Sequence, residues 1–132
     1  MQSHPDKALN RCYFYLKHRP RTEKEIYFYL FKKSKKYKIS QKDIQNIILE
    51  LKKRLYIDDS KFIDWFVSKR LSNKPKAVFI IKSELKRLGI KDELIREYFD
   101  ENTIDEFELA VKTLERIKRR FINLEPVKKR EK

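Results

Sequence analysis

The chain has 132 residues, enough for one compact domain or a short array of small helical units. It is 41% charged and 40% hydrophobic, too apolar for disorder, and one glycine with four prolines leaves too few turn signals for a β-sandwich or barrel. A net charge of +14, from 34 Lys and Arg against 20 Asp and Glu, attracts polyanions: nucleic acid, an acidic membrane surface or an acidic protein.

Helical periodicity runs through the chain. A first helix over about residues 6–18 sets Leu9, Cys12, Tyr13 and Leu16 on one face, and Pro20 ends it. Thr22 with Glu25 three residues on forms a capping-box pattern for a second helix, with Ile26, Tyr27 and Leu30 inward. The basic run from Lys32 to Lys38 reads as its frayed end and a loop. Ser40 with Asp43 opens a third helix carrying Ile44, Ile47, Ile48 and Leu51. Asp59 is the expected N-cap of a fourth, with Phe62, Ile63 and Phe66. Pro75 is expected to open a fifth, with Val78, Ile81, Leu85 and Leu88 inward and Gly89 as its left-handed C-terminal residue. Asp92 begins a sixth, with Leu94, Ile95 and Tyr98. A seventh spans about residues 104–121, with Phe107, Ala110, Val111, Leu114, Ile117 and Phe121 in step.

The pattern predicts an all-α fold: an elongated array of about seven helices in tandem three-helix, helix-turn-helix-like units. The first unit is expected over residues 1–57 and the second over 58–101. Residues 102–124 would be the first helix of an incomplete third unit, and 125–132 a basic tail. An offset of 55 residues sets Thr22 against Ala77, Leu30 against Leu85 and Arg21 against Lys76. Units this small have little core and need neighbours.

No catalytic constellation emerges. Asp58 and Asp59 are adjacent, so their side chains diverge, whereas paired acid and base carboxylates must converge. His4, Cys12 and His18 have no zinc spacing, and a single glycine excludes a phosphate loop. Cys12 is the only cysteine, which rules out an internal disulfide, and its place on an apolar face marks a buried thiol. The residues therefore predict a protein that is not an enzyme and takes no cofactor or metal. With no apolar signal core and no run of membrane-spanning length, the chain is expected to be cytoplasmic and monomeric, without a membrane partner.

Basic side chains gather in four places. Arg19 and Arg21 flank the first interhelical turn. Lys32, Lys33, Lys35, Lys36 and Lys38 follow the second helix. Lys69, Arg70, Lys74 and Lys76 surround the equivalent turn of the second unit. Arg116, Lys118, Arg119 and Arg120 lie on the last helix. Each cluster alone reads as a solvated face; four together make a polyanion-binding surface the better reading. Arg70 borders the Phe62 and Phe66 face and could instead cap the end of its own helix. Residues 91–108 differ, with eight acids against two bases, a net of −6 that leaves +20 on the remainder. Phe28 points nearly opposite Ile26 and Leu30, and inter-unit packing is the expectation for it, as core or inter-unit packing is for Trp65, with partner docking or base stacking as alternatives.

Three ordered patterns resemble the RecX family of bacterial regulators of the RecA recombinase. Arg19-Pro20-Arg21-Thr22-Glu23-Lys24-Glu25-Ile26 is similar to its opening signature. Ile57-Asp58-Asp59 with Phe62, Phe66, Val67 and Arg70 resembles its central one, and Lys74-Pro75-Lys76 with Glu84-Leu85 and Leu88-Gly89-Ile90 its third. The chain departs from the pattern at Leu55-Tyr56, where the family often has glycine, and at Ile63, where it often has a small residue. The family usually completes a third unit. The resemblance implies a non-enzymatic regulator in DNA repair, recombination and the SOS response. It would bind the RecA–DNA filament and restrain its recombinase, ATPase and coprotease activities. The alternative from the residues is a direct DNA-binding module of helix-turn-helix or Myb type. In that case the third helix, Gln41 to Lys53, would offer Gln41, Lys42, Gln45, Asn46 and Lys52 as readers.

Overall fold

The computed structural model describes the backbone of residues 3–73 and 76–131, and their side chains apart from those of Asn73 and residues 123–131. Among the described residues there are seven helices and no strand. They are α1 (His4–His18), α2 (Glu23–Tyr37), α3 (Gln41–Lys53), α4 (Asp59–Asn73), α5 (Val78–Arg87), α6 (Asp92–Glu101) and α7 (Glu106–Glu131). Pro75, expected to open the fifth helix, lies outside the described residues; α5 starts later, at Val78 after Ala77.

Local chemistry explains most helix starts. Ser3, Thr22 and Ser40 each accept from the backbone N–H three residues on, and Asp6, Glu25 and Asp43 return the bond. The box at Ser3 starts α1 two residues before the expected position. At α4 the expected cap is off by one. The Oδ1 of Asp58, not Asp59, accepts from Ser60 N at 3.0 Å and Lys61 N at 3.3 Å, and the Asp58 carbonyl takes the first helical bond from Phe62. Asp105 caps α7 in the same way, through Phe107 N and Glu108 N.

Three helices end alike. Lys38, Leu55 and Gly89 follow α2, α3 and α5 with φ of 53°, 63° and 95°. At each, the next residue's N–H reaches back to a carbonyl five positions earlier: Ile39 to Ser34, Tyr56 to Leu51 and Ile90 to Leu85. Lys32, Lys33, Lys35 and Lys36 sit within α2 rather than in a loop, because the helix runs on to Tyr37 before this turn closes it. Residues 125–131, read as a tail, continue α7.

The buried side chains form two clusters. Ala8, Cys12, Ile26, Leu30, Ile44, Ile47, Ile48, Leu51 and Ile57 lie in the first, between α1, α2 and α3. Phe62, Ile63, Phe66, Val67, Ile81, Leu85, Ile90 and Ile95 form the second, between α4, α5 and α6. Each fully buried Leu, Ile or Phe contributes about 1.5–3 kcal/mol of transfer free energy, so these clusters carry the fold. Burial also pushes the Cys12 thiol up to about 12, which leaves it an inert core group.

The units meet through polar groups at the N-terminus of α2. Asp59 Oδ1 accepts from Glu23 N at 3.0 Å, supplying a partner from the second unit to the first amide of α2. The fully buried Thr22 donates its hydroxyl to the Leu88 carbonyl at 2.6 Å while accepting from Glu25 N at 3.1 Å. Gly89 passes so close to α2 that a Cβ there would stand 2.4 Å from Lys24 Cβ. Its positive φ and this approach both require glycine.

Candidate functional site

Two glutamates, Glu25 in the first turn of α2 and Glu84 in the second half of α5, gather cations from the segments that precede their helices. Glu25 accepts the Arg19 guanidinium through both oxygens, one contact at 3.2 Å, and lies 3.9 Å from Arg21 Nη1. Arg21 stacks over Tyr15 at 3.8 Å, and Tyr15 stacks on Tyr29 at 4.4 Å. In the second unit, Glu84 takes Arg70 Nη2 at 2.7 Å and Lys76 Nζ at 3.3 Å, while Arg70 lies over Phe66 at 4.8 Å. Arg70 thus bonds a side chain of α5 rather than the carbonyls of its own helix. Arg19, Arg21, Arg70 and Lys76 are bound to these carboxylates, which fix the turns and remove much of their charge from the surface.

A groove runs along the junction of the units past these pairs. One part, a cavity of about 360 Å³, is lined by Arg19, Trp65, Phe66, Lys69, Arg70, Glu84, Arg87 and Leu88. A second, of about 610 Å³, shares Arg19, Trp65 and Lys69 and extends to Lys17, His18, Arg21, Tyr56, Asp58 and Lys61. Among the described residues, Lys17, Lys61, Lys69 and Arg87 have no carboxylate within ion-pair distance. Lys61, Trp65 and Lys69 follow at intervals of four along one face of α4, with Lys69 Nζ 5.0 Å from the Trp65 ring centroid. Trp65 packs on Phe62 at 5.6 Å, so its body is anchored in the second cluster while its edge meets the groove.

Of the expected contact residues, the structure brings Arg19, Arg21, Lys69 and Arg70 to this groove. Lys32, Lys33, Lys35 and Lys36 lie apart, along the last turns of α2. There Lys36 and Tyr37 border a separate cavity of about 300 Å³ with Lys7, Arg11 and Phe14. Arg116, Arg119 and Arg120 lie on α7, and Lys74 falls outside the described residues. Sequence reasoning missed Lys17, Lys61 and Arg87. The signal for Lys61 was present, at four residues before Trp65. Phe28, expected to pack between the units, is 46% exposed and lines a cavity of about 370 Å³ together with Asp59, Gly89 and Lys91 of the second unit, with Lys24 Nζ 5.7 Å from its ring.

Lys52 of α3 pairs with Glu23 and Gln41 donates to the Tyr27 hydroxyl at 3.0 Å, leaving Lys42, Gln45 and Asn46 exposed. Burial pushes the Asp59 carboxyl above its ordinary value, against the opposing pull of its bond from Glu23 N–H and of Lys52. Among the described residues, no group of His, Cys, Asp and Glu side chains could hold a metal ion, and no helix is long and apolar enough to cross a membrane.

No protein-family model matches the chain. Regulatory protein RecX of Streptococcus mutans is 30% identical over 112 residues, 85% of this chain and 41% of that protein. The RecX proteins of Streptococcus uberis and Geobacillus kaustophilus are 33% and 31% identical, over 78% and 76% of this chain. The chain spans about two fifths of the length of these relatives. A crystal structure of regulatory protein RecX superposes with a TM-score of 0.69 at 27% identity, over 91% of this chain and 58% of that one. The likeness thus covers both helical clusters and the turns that join them. Over the part of their length that it spans, this chain is a homologue of the RecX regulatory proteins.

Proposed function

We propose that this chain regulates RecA by binding the RecA–DNA filament through the groove between its units. The carrying observation is the set of uncompensated cations, Lys17, Lys61, Lys69 and Arg87, ranged along one groove beside Trp65. Lysines on flexible stems meet phosphates or carboxylates without demanding one geometry, which suits an indifferent grip on a repeating polyanion. The acidic stretch from Asp92 to Glu108 offers a second, opposite surface for basic parts of the same assembly. The relatives' name of regulatory protein fits a role in regulation rather than in chemistry.

The test is RecA ATPase activity at saturating DNA. A filament binder still inhibits there, whereas a chain that merely sequesters DNA loses its effect. Lys61→Glu with Lys69→Glu should weaken inhibition by about tenfold or more, since two contacts become repulsive. Unchanged inhibition would remove the groove from the interface. Direct binding to duplex DNA with sequence preference would instead favour α3, whose Lys42, Gln45 and Asn46 are exposed.

A further inference from the structure

The last helix carries an apolar seam that the rest of the fold leaves open. Among its described side chains Leu109 is buried, at 5% exposure, whereas Phe107 is 78% exposed, Leu114 69% and Ile117 50%. Phe107, Ala110, Leu114 and Ile117 are separated by three, four and three residues, the spacing that keeps one stripe facing a partner helix. The helix is also charged unequally along its length. Asp105, Glu106 and Glu108 stand at its start; Arg116, Lys118, Arg119 and Arg120 gather at its middle, with Lys112 and Glu115 between the two groups.

We propose that this seam pairs with α7 of a second copy of the chain, in antiparallel orientation. Setting Phe107 opposite the partner's Ile117 also sets Ala110 opposite Leu114, and the two-fold axis repeats both layers. The same register lays the acidic start of each helix along the basic middle of the other, with Glu106 and Arg120 flanking the seam on the same side. A parallel pair would bring acids against acids and bases against bases. The helix dipoles favour the antiparallel arrangement as well. The seam is short, about 15 Å from Phe107 to Ile117 at 1.5 Å per residue, so the dimer is weak and salt-sensitive. This departs from the monomer expected from sequence, and it rests on none of the recombinase reading.

Sedimentation equilibrium of the full chain at low salt, across a micromolar concentration series, tests it. The mass should rise towards two chains as concentration increases and fall back in high salt. Leu114→Glu should remain monomeric with unchanged melting, because Leu114 is exposed in the single chain. Arg120→Glu should weaken association by about tenfold, and adding Glu106→Arg should restore it. A chain that stays monomeric throughout overturns the proposal and assigns the seam to another partner. A dimer that tolerates Leu114→Glu, or one that the paired charge reversal fails to rescue, overturns it equally.

Discussion

At the scale of single residues, three of the described backbones adopt a positive φ and one of the three belongs to a glycine. Leu55 ends α3 at φ 63°, where a Cβ costs about 1–2 kcal/mol. It lies in the Leu55-Tyr56 pair, where the resemblance noted in the sequence leads one to expect a glycine. With the side chain 69% exposed, little burial offsets the strain. Leu55→Gly should therefore raise stability by about 0.5–1 kcal/mol after the added freedom of the unfolded chain is counted, seen as a higher urea midpoint at unchanged m-value. A lower midpoint would mean that Leu55 makes contacts its exposure does not reveal. The Asp58 and Asp59 pair shows what residue-level reading misses. Cap preference identifies an aspartate at the start of α4, but choosing between neighbours depends on where each side chain finds an amide, and Asp59 finds one 36 residues away.

At the scale of elements, capping boxes and core stripes were legible because they are local: Thr22 with Glu25, Ser40 with Asp43, and Ile81 with Leu85 declare themselves within a turn or two. The length of α2 was not, since its lysines resemble loop composition while Tyr37 and Ile39 close the helix through packing. Thr22 joins two elements at once, capping α2 and bonding the carbonyl of Leu88. Thr22→Val keeps the shape and removes both bonds. It should cost about 2 kcal/mol by denaturant unfolding, from a lost cap and a deprived carbonyl. Thr22→Ser, which keeps the hydroxyl, should recover most of that loss. Equal losses in both variants would show that the methyl group, not the hydroxyl, matters.

At the scale of the whole molecule, two apolar clusters are coupled by a polar junction. Four basic clusters were visible in the sequence, but not which of their members were already neutralised, because Glu25 and Glu84 come into play only when the turns fold. The junction should also leave a mark on the pH dependence of stability. The Asp59 carboxyl titrates above its unfolded value, mainly through burial, so its ionisation is less favourable in the folded chain. The folded state then holds more protons between the two values, and this contribution to stability is full below the unfolded pKa and lost as pH rises through the folded one. Asp59→Asn keeps an oxygen for the Glu23 N–H and cannot ionise. Its stability, compared with the parent by urea unfolding at steps from pH 3 upwards, should lack that decline. Parallel curves would mean that the carboxyl is as well solvated in the fold as outside it.

The bonds at the start of α2 also bear on the order of folding. Thr22 and Glu23 are joined to Leu88 and Asp59 across 66 and 36 residues, while each cluster gathers its members from within one stretch of chain. Closing long loops is slow, and small helical cores with local contacts form fast. Each unit can complete its interior before the other arrives, and the junction then docks late. Damage to it falls on the rate at which the assembled chain comes apart, and spares the rate at which either half is made.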